Sequence, residues 1–379
     1  AVTFTPTLTL YVARGFLGAT LLMTAALTGL VALFDFIELL RRAATRPDVG
    51  FDIPLTIAAL RLPFVSLQIL PFAILLGGII AFWRLTRSSE LIVARAAGVS
   101  AWGFLTGPLT VAVLLGALAT AGISPLSSSL LARAERLDQT FLRTGGGMSS
   151  LAGGRLWLRQ SDRELDPNGV AIIAGRPVAA RGAPPRPGEL PRFELQDVTV
   201  WRLSGADRAL ARIEAPRARL TAGRWVIEDA IAFNADRVAT PAGRFELPTE
   251  LTPDRIEDSF ASPETLGFWS LPGFIDVLEE AGFSAVRHRI QYQSLLANPV
   301  LALAMALLAA GFSMRQTRRG GVAQMIAGGV AAGFALFVLD RVTNEFGEAG
   351  SLPVMLAAWA PTLAGLLLAL ALLLHLEDG

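Results

Sequence analysis

The stretch Leu62–Trp83, LPFVSLQILPFAILLGGIIAFW, carries no Asp, Glu, Lys or Arg over the length a helix needs to cross a bilayer. Working outward, the same property recurs at Gly15–Phe34, Ala96–Ala132, Ile290–Met314, Gly320–Leu339 and Ala349–Leu376. The third run is too long for one span. Its predicted core is Trp102–Ile123, with Pro125 and the serines that follow marking the exit. The first run exceeds the apolar core of a secretory signal and is followed by no clear small-x-small site, so it reads as a retained helix. Six membrane helices are expected, three at each end of the chain.

Between the two blocks, from about Arg155, the pattern changes to short alternating runs broken by Gly, Pro and Asp. Arg155–Gln160, Val170–Ala174, Arg192–Leu203 (RFELQDVTVWRL), Ala209–Leu220, Arg224–Phe233 and Arg244–Leu247 read as strands with one buried face. Turns are expected at Asp166–Gly169, Ala183–Gly188, Ser204–Asp207 and Ala222–Gly223. Strands at this spacing with no helix between them predict an antiparallel sandwich, jelly roll or barrel. After them, Leu271–Ala281 reads as an amphipathic connector helix at the membrane surface.

The expected fold class is therefore membrane α-helical, six transmembrane helices in a 3+3 layout, with an inserted all-β, jelly-roll-like domain. Residues 1–138 would hold helices one to three, 139–265 the β domain, 266–289 the connector and 290–379 helices four to six.

Composition narrows the function. Charged residues make up 17%, below the roughly 25% of soluble domains. A net charge of +1 argues against nucleic acid, which calls for a basic surplus. The chain has no cysteine and no lysine, and its only histidines are His288 and His375. Disulfides and a histidine metal cluster are excluded, and so is a P-loop of the usual form, which needs a lysine for the phosphates. No metal or cofactor is expected on this chain, and ATP with Mg would have to sit on a separate ATPase. A membrane-embedded enzyme is disfavoured by the lack of clustered His, Cys or paired buried carboxylates.

Loop charges give the orientation. Arg84, Arg87 and Arg95 outweigh Glu90 between helices two and three, and Arg315, Arg318 and Arg319 lie between helices four and five. The loop after helix five is acidic, with Asp340, Glu345 and Glu348 against Arg341. By the positive-inside rule both termini are cytoplasmic and the β domain is outside, in a bacterial periplasm.

The inside segment Arg87–Gly98, RSSELIVARAAG, has a helical pattern with Leu91 and Ile92 on one side and Glu90 among arginines on the other. It reads equally as a docking helix for a motor protein or as a solvated loop helix. This segment resembles the coupling stretch of the lipopolysaccharide-export permease family, LptF and LptG. Phe34-Asp35 and Arg41-Arg42 after helix one, Leu70-Pro71-Phe72 to Gly77-Gly78, Asn298-Pro299, Phe337 to Asp340 and Pro361 also fall where that family has similar features. The basic pair and the Leu-Asp ending of helix five look more like LptG than LptF.

The resemblance implies a transporter subunit without catalysis of its own, in the inner membrane of a Gram-negative bacterium. Its implied partners are a paralogous LptF-like permease, a dimer of an LptB-like cytoplasmic ATPase, an LptC-like single-span protein and an LptA-like periplasmic bridge. The lipopolysaccharide would leave the outer leaflet through a cavity lined by helices one and five and pass up the β domain. Arg87, Glu90, Leu91 and Arg95 are the expected ATPase-coupling residues. Arg41, Arg42, Arg61, Arg287 and Arg289, with Phe34 and Phe64, are the expected lipid contacts, since arginine suits bidentate phosphate binding. The rival reading makes these arginines interfacial anchors. Asp35, Asp340 and Arg341 mark helix ends at the gate, where an acid could pair with Arg341 or a neighbouring arginine. An LptF-type subunit, or a non-transporting scaffold that anchors a β domain, are the alternatives.

Overall fold

A computed structural model describes residues 6–46, 49–88, 90, 101–142, 149–152, 155–162, 164–178, 193–205, 208–221, 223–234, 238–249, 251–252, 256, 261–280, 283–313 and 322–377. They fall into two compact units. One comprises Ala1–Leu142, Glu264–Leu271 and Val286–Gly379, the other Arg143–Pro263 and Pro272–Ala285.

The first unit is helical. Its members are α1 (Pro6–Ala43), α2 (Asp52–Arg87), α3 (the continuous Trp102–Leu142), and, after a short α4 that falls mainly in the other unit (Leu271–Glu280), α5 (Val286–Ser313), α6 (Val322–Glu348) and α7 (Val354–Glu377). Among the described residues, α1, α2, α3, α5, α6 and α7 are the six helices long and apolar enough to cross a membrane. Their core gathers Phe16, Ile74, Leu75, Phe82, Leu105 and Leu308. α5 is the most buried of the six, while α1 and α6 keep most of their apolar surface open.

Small residues set the closest approaches. A side chain added at Gly77 would meet the backbone of Thr20 at 2.7 Å, so α2 can lie on α1 only with glycine there. A side chain added at Gly116 of α3 would meet the Cα of Pro299 in α5 at the same distance. Pro299 cannot donate to the carbonyl of Leu295 one turn earlier. That carbonyl instead accepts from the Thr120 hydroxyl at 2.9 Å.

The same accounting explains how the helix continues past Pro125. The helix does not stop; it passes through a π turn at Ala119–Ile123, runs on through Ser124–Leu137, and ends in a second π turn at Asp138–Leu142. Pro125 would orphan the carbonyl of Ala121, and the indole N–H of Trp269 donates to that oxygen at 3.0 Å. A freed carbonyl with a new donor permits continuation where proline alone argues for a stop.

The second unit is a seven-stranded antiparallel sheet, β1 (Ser149–Ala152), β2 (Arg155–Ser161), β3 (Val170–Pro177), β4 (Phe193–Leu203), β5 (Ala209–Thr221), β6 (Arg224–Asn234) and β7 (Ala239–Pro248). The all-β insert is present. Its strand order is a plain meander, each strand paired with the next, which replaces the Greek-key order of a strict jelly roll. Period-two alternation buries Leu156, Leu158, Ile173, Val200, Ile213 and Ile227. The register aligns Gln160 with Ala171 and, through it, with Arg202, while Pro248 pairs with Arg224 near the opposite end of the ladder. Gln160 Nε2 nevertheless donates to the Pro248 carbonyl at 2.9 Å. The second and last strands thus meet diagonally, and the sheet is coiled over its own apolar face.

The segment Pro272–Ala285, with most of α4, groups with this sheet. Phe283 packs on Phe193, ring centroids 5.7 Å apart.

Candidate functional site

The ends of α1, α2 and α3 near residues 43, 52 and 142 share a small apolar core: Leu39 and Ala43, Ile57 and Ala58, Ala134 and Leu142. That core fixes the helices in register, and a charged cluster lies beside it. Asp35, Glu38, Arg41 and Arg42 project from the last turns of α1 at spacings that bring side chains together. Arg41 is held by Glu38 in a two-pronged pair, Nε and Nη2 each 2.9 Å from a carboxylate oxygen. Arg61 of α2 reaches Asp35 at 3.1 Å. Asp138 of α3 then bridges the helices, 3.3 Å from Arg42 and 3.7 Å from Arg61. The side chain of Asp138 is only 2% exposed, against 31% for Arg42 and 18% for Arg61.

Of the residues singled out in the sequence, the structure thus brings together Asp35, Arg41, Arg42 and Arg61. Phe34 is exposed on the same helix, and Phe64, three residues after Arg61, is half-buried. The remaining candidates have other surroundings. Arg287 of α5 pairs with Glu348 of α6 at 3.5 Å, Arg289 is exposed, and His288 between them is buried. Asp340 is half-buried in α6, and the next residue, Arg341, lies over the ring of Phe337, 5.8 Å from its centre.

At the other end of α2, Arg87 lies over Trp83 at 5.4 Å. Glu90 accepts a hydrogen bond from the Ser88 hydroxyl at 2.9 Å. Leu91 and Arg95 lie outside the described residues, as does the turn at Ala183–Gly188.

Asp138 is the member that sequence reasoning missed. Its signal was available: Leu131, Ala134, Asp138 and Leu142 form one buried stripe on α3, and an acid on an apolar stripe requires a cationic partner. The predicted core of this span, Trp102–Ile123, stops short of the stripe. No group of three or more His, Asp or Glu is placed to hold a metal ion among the described residues.

The β domain holds a second buried charge. Arg202 on β4 lies on the apolar face, paired with Asp162 through its Nε and through Nη2 at 2.7 Å, and with Glu164 at 3.0 Å. Burial works against its charge, but the two carboxylates outweigh that and raise its pKa. Its guanidinium also lies over Phe245 of β7 at 5.7 Å. Nearby, backbone N–H groups of Asn168 and Gly205 hold the Asp166 carboxyl below its ordinary value. On β7, hydrogen bonds from Arg224 and Arg244 do the same for Glu246.

Six apolar helices split three and three around an antiparallel sheet define a multi-pass membrane protein with an inserted β domain. The match to a family model is specific: the chain belongs to the lipopolysaccharide export system permease LptF/LptG family, which covers residues 10–375. It is similar to the lipopolysaccharide export system permease protein LptG of Escherichia coli (strain K12), 24% identical over 319 residues, 80% of this chain and 81% of that protein. It is also similar to LptG of Haemophilus influenzae, 23% identical over 363 residues, 94% and 95% of the two chains. The LptG-like character expected from the basic pair Arg41-Arg42 and the Leu339-Asp340 ending agrees with these relatives.

Proposed function

We propose that this chain is an LptG-like permease subunit of an ABC-type exporter, taking lipopolysaccharide from the outer leaflet of the inner membrane and passing it along its periplasmic β domain. The observation that carries the reading is the family match over residues 10–375, running through both helical blocks and the insert between them. In this reading both termini are cytoplasmic. A paralogous permease supplies the other half of the cavity, and LptC-like and LptA-like proteins continue the path. Hydrolysis of ATP belongs to a partner ATPase dimer, in keeping with the absence of any lysine.

Division of labour follows from residue chemistry. The segment around Arg87, Glu90, Leu91 and Arg95 docks on the ATPase. Arg41, Arg42 and Arg61 meet the lipid phosphates, since guanidinium groups offer paired donors that match phosphate oxygens. Phe34 is 65% exposed beside them and offers apolar surface to acyl chains. Arg287 and Arg289 are a second basic pair at the start of α5, and Asp340 and Arg341 mark the gate end of α6. The sheet supports the exit path with one continuous apolar face, from Leu156 to Ile227.

The test is purification of the chain with a co-expressed second permease and ATPase, followed by mass spectrometry of bound lipid. Lipopolysaccharide retained by the complex, with ATPase lost on Glu90→Ala, is the expected result. A complex that carries neither lipid nor ATPase would return the chain to the scaffold reading.

A further inference from the structure

We propose that Asp138 is a positioning residue that keeps the guanidinium groups of Arg42 and Arg61 occupied until a lipid phosphate arrives; the inference rests on the functional reading above. Its carboxylate is almost wholly buried, whereas both arginines keep part of their surface open. The acid therefore holds the guanidinium groups from the inner side and leaves their outer side for a ligand.

The separations point the same way. At 3.3 and 3.7 Å the two contacts are longer than the roughly 2.7–2.9 Å of a saturated charge-assisted bond. One carboxylate is shared between two cations and satisfies neither completely. The Nε of Arg42 is buried and has no hydrogen-bond acceptor, with Glu38 standing off at 3.7 Å.

The cluster is also charge-balanced. Glu38 faces Arg41, Asp35 faces Arg61, and Asp138 lies between Arg42 and Arg61. An arriving phosphate must compete with carboxylates already in place, which lowers its affinity. An exporter needs that moderation, because a lipid bound too tightly is not released.

A purely structural Asp138 predicts the opposite of this inference, since its loss would disorder the site and weaken binding. The experiment uses the complex with partner permease and ATPase in nanodiscs, with fluorescent lipid A as probe and its dephosphorylated form as control. Asp138→Asn keeps the volume and removes the charge. It is expected to bind the phosphorylated probe roughly five-fold more tightly, the scale of one partly exposed ion pair removed from competition, and to release it more slowly on ATP addition. Binding of the dephosphorylated probe should not change.

Asp35→Asn, at a more exposed carboxylate that frees Arg61 alone, should tighten binding by roughly two-fold. It carries the test if the first variant does not assemble. Unchanged or weaker binding of the phosphorylated probe in the assembled variant overturns the inference while leaving the permease reading intact. Failure of the wild-type complex to distinguish the two probes overturns the phosphate site itself, and this inference with it.

Discussion

Two buried carboxylate–arginine clusters lie among the described residues, and they are built differently. In the β domain, Arg202 and Asp162 are both almost fully enclosed, at 6% and 3% side-chain exposure, and meet through two donors. At the ends of α1 to α3, buried Asp138 is divided between two arginines that remain partly open. The first pair has nowhere else to go. The second has alternatives within reach, namely Glu38, Asp35, water or an incoming anion. Identical chemistry therefore gives a fixed brace in one place and an exchangeable contact in the other, and enclosure and saturation decide which.

The sharpest way to break this comparison is to remove the acid from each. Asp162→Ala leaves a buried guanidinium with only the exposed Glu164, and is expected to destabilise the β domain by about 3–5 kcal/mol, read by protease resistance or thermal melting. Asp138→Ala should cost about 1–2 kcal/mol, because Arg42 and Arg61 can turn to other partners. Equal losses at the two sites would erase the distinction.

A smaller effect sharpens it within the β domain. Gln160 donates to the Pro248 carbonyl and accepts from Thr249 at 2.7 Å, tying β2 to the end of β7 beside the Arg202 cluster. Gln160→Ala should cost about 1 kcal/mol and raise hydrogen exchange along β7 without affecting lipid binding by the helices.

The smallest effect is acid sensitivity. Asp166 and Glu246 have carboxyls held below their ordinary values, so each favours the fold most when ionised. Their contribution is complete above the unfolded-state values near 4 and is lost only as pH falls through the lowered folded values. Melting of the β domain should therefore be flat from neutrality down to about pH 5 and then fall. Asp166→Asn should flatten part of that acid limb, and an unchanged limb would remove Asp166 from the account.

Much of this was legible in the sequence, for identifiable reasons. Charge-free length alone located all six spans, and period-two alternation located the strands from Arg155 to Leu247. What stayed hidden depended on partners distant in the chain. Nothing local to Pro125 shows how the helix carries on through it; Trp269, which donates to Ala121, does. The pairing of Arg61 with Asp35 joins two helices across a loop, and periodicity carries no information about it. Asp138 lies beyond the apolar core that charge-free length picks out, so that length did not mark it. The diagonal meeting of β2 and β7 needs the coil of the whole sheet, whereas alternation reports only which face each strand buries.

The unbroken α3 has a mechanical consequence. Its 41 residues extend roughly 60 Å at 1.5 Å per residue, about twice the thickness of the hydrocarbon slab. The tight crossing of Gly116 on Pro299 divides this rod unevenly and leaves Asp138 on its longer arm, roughly 33 Å from the crossing. Such an arm is a lever: a 10° rock about the crossing would carry Asp138 sideways by roughly 6 Å, farther than either of its contacts to arginine can stretch. A tilt of that size, if the core of Leu39, Ile57 and Ala134 yielded to it, would make or part a charge contact at the rod's far end.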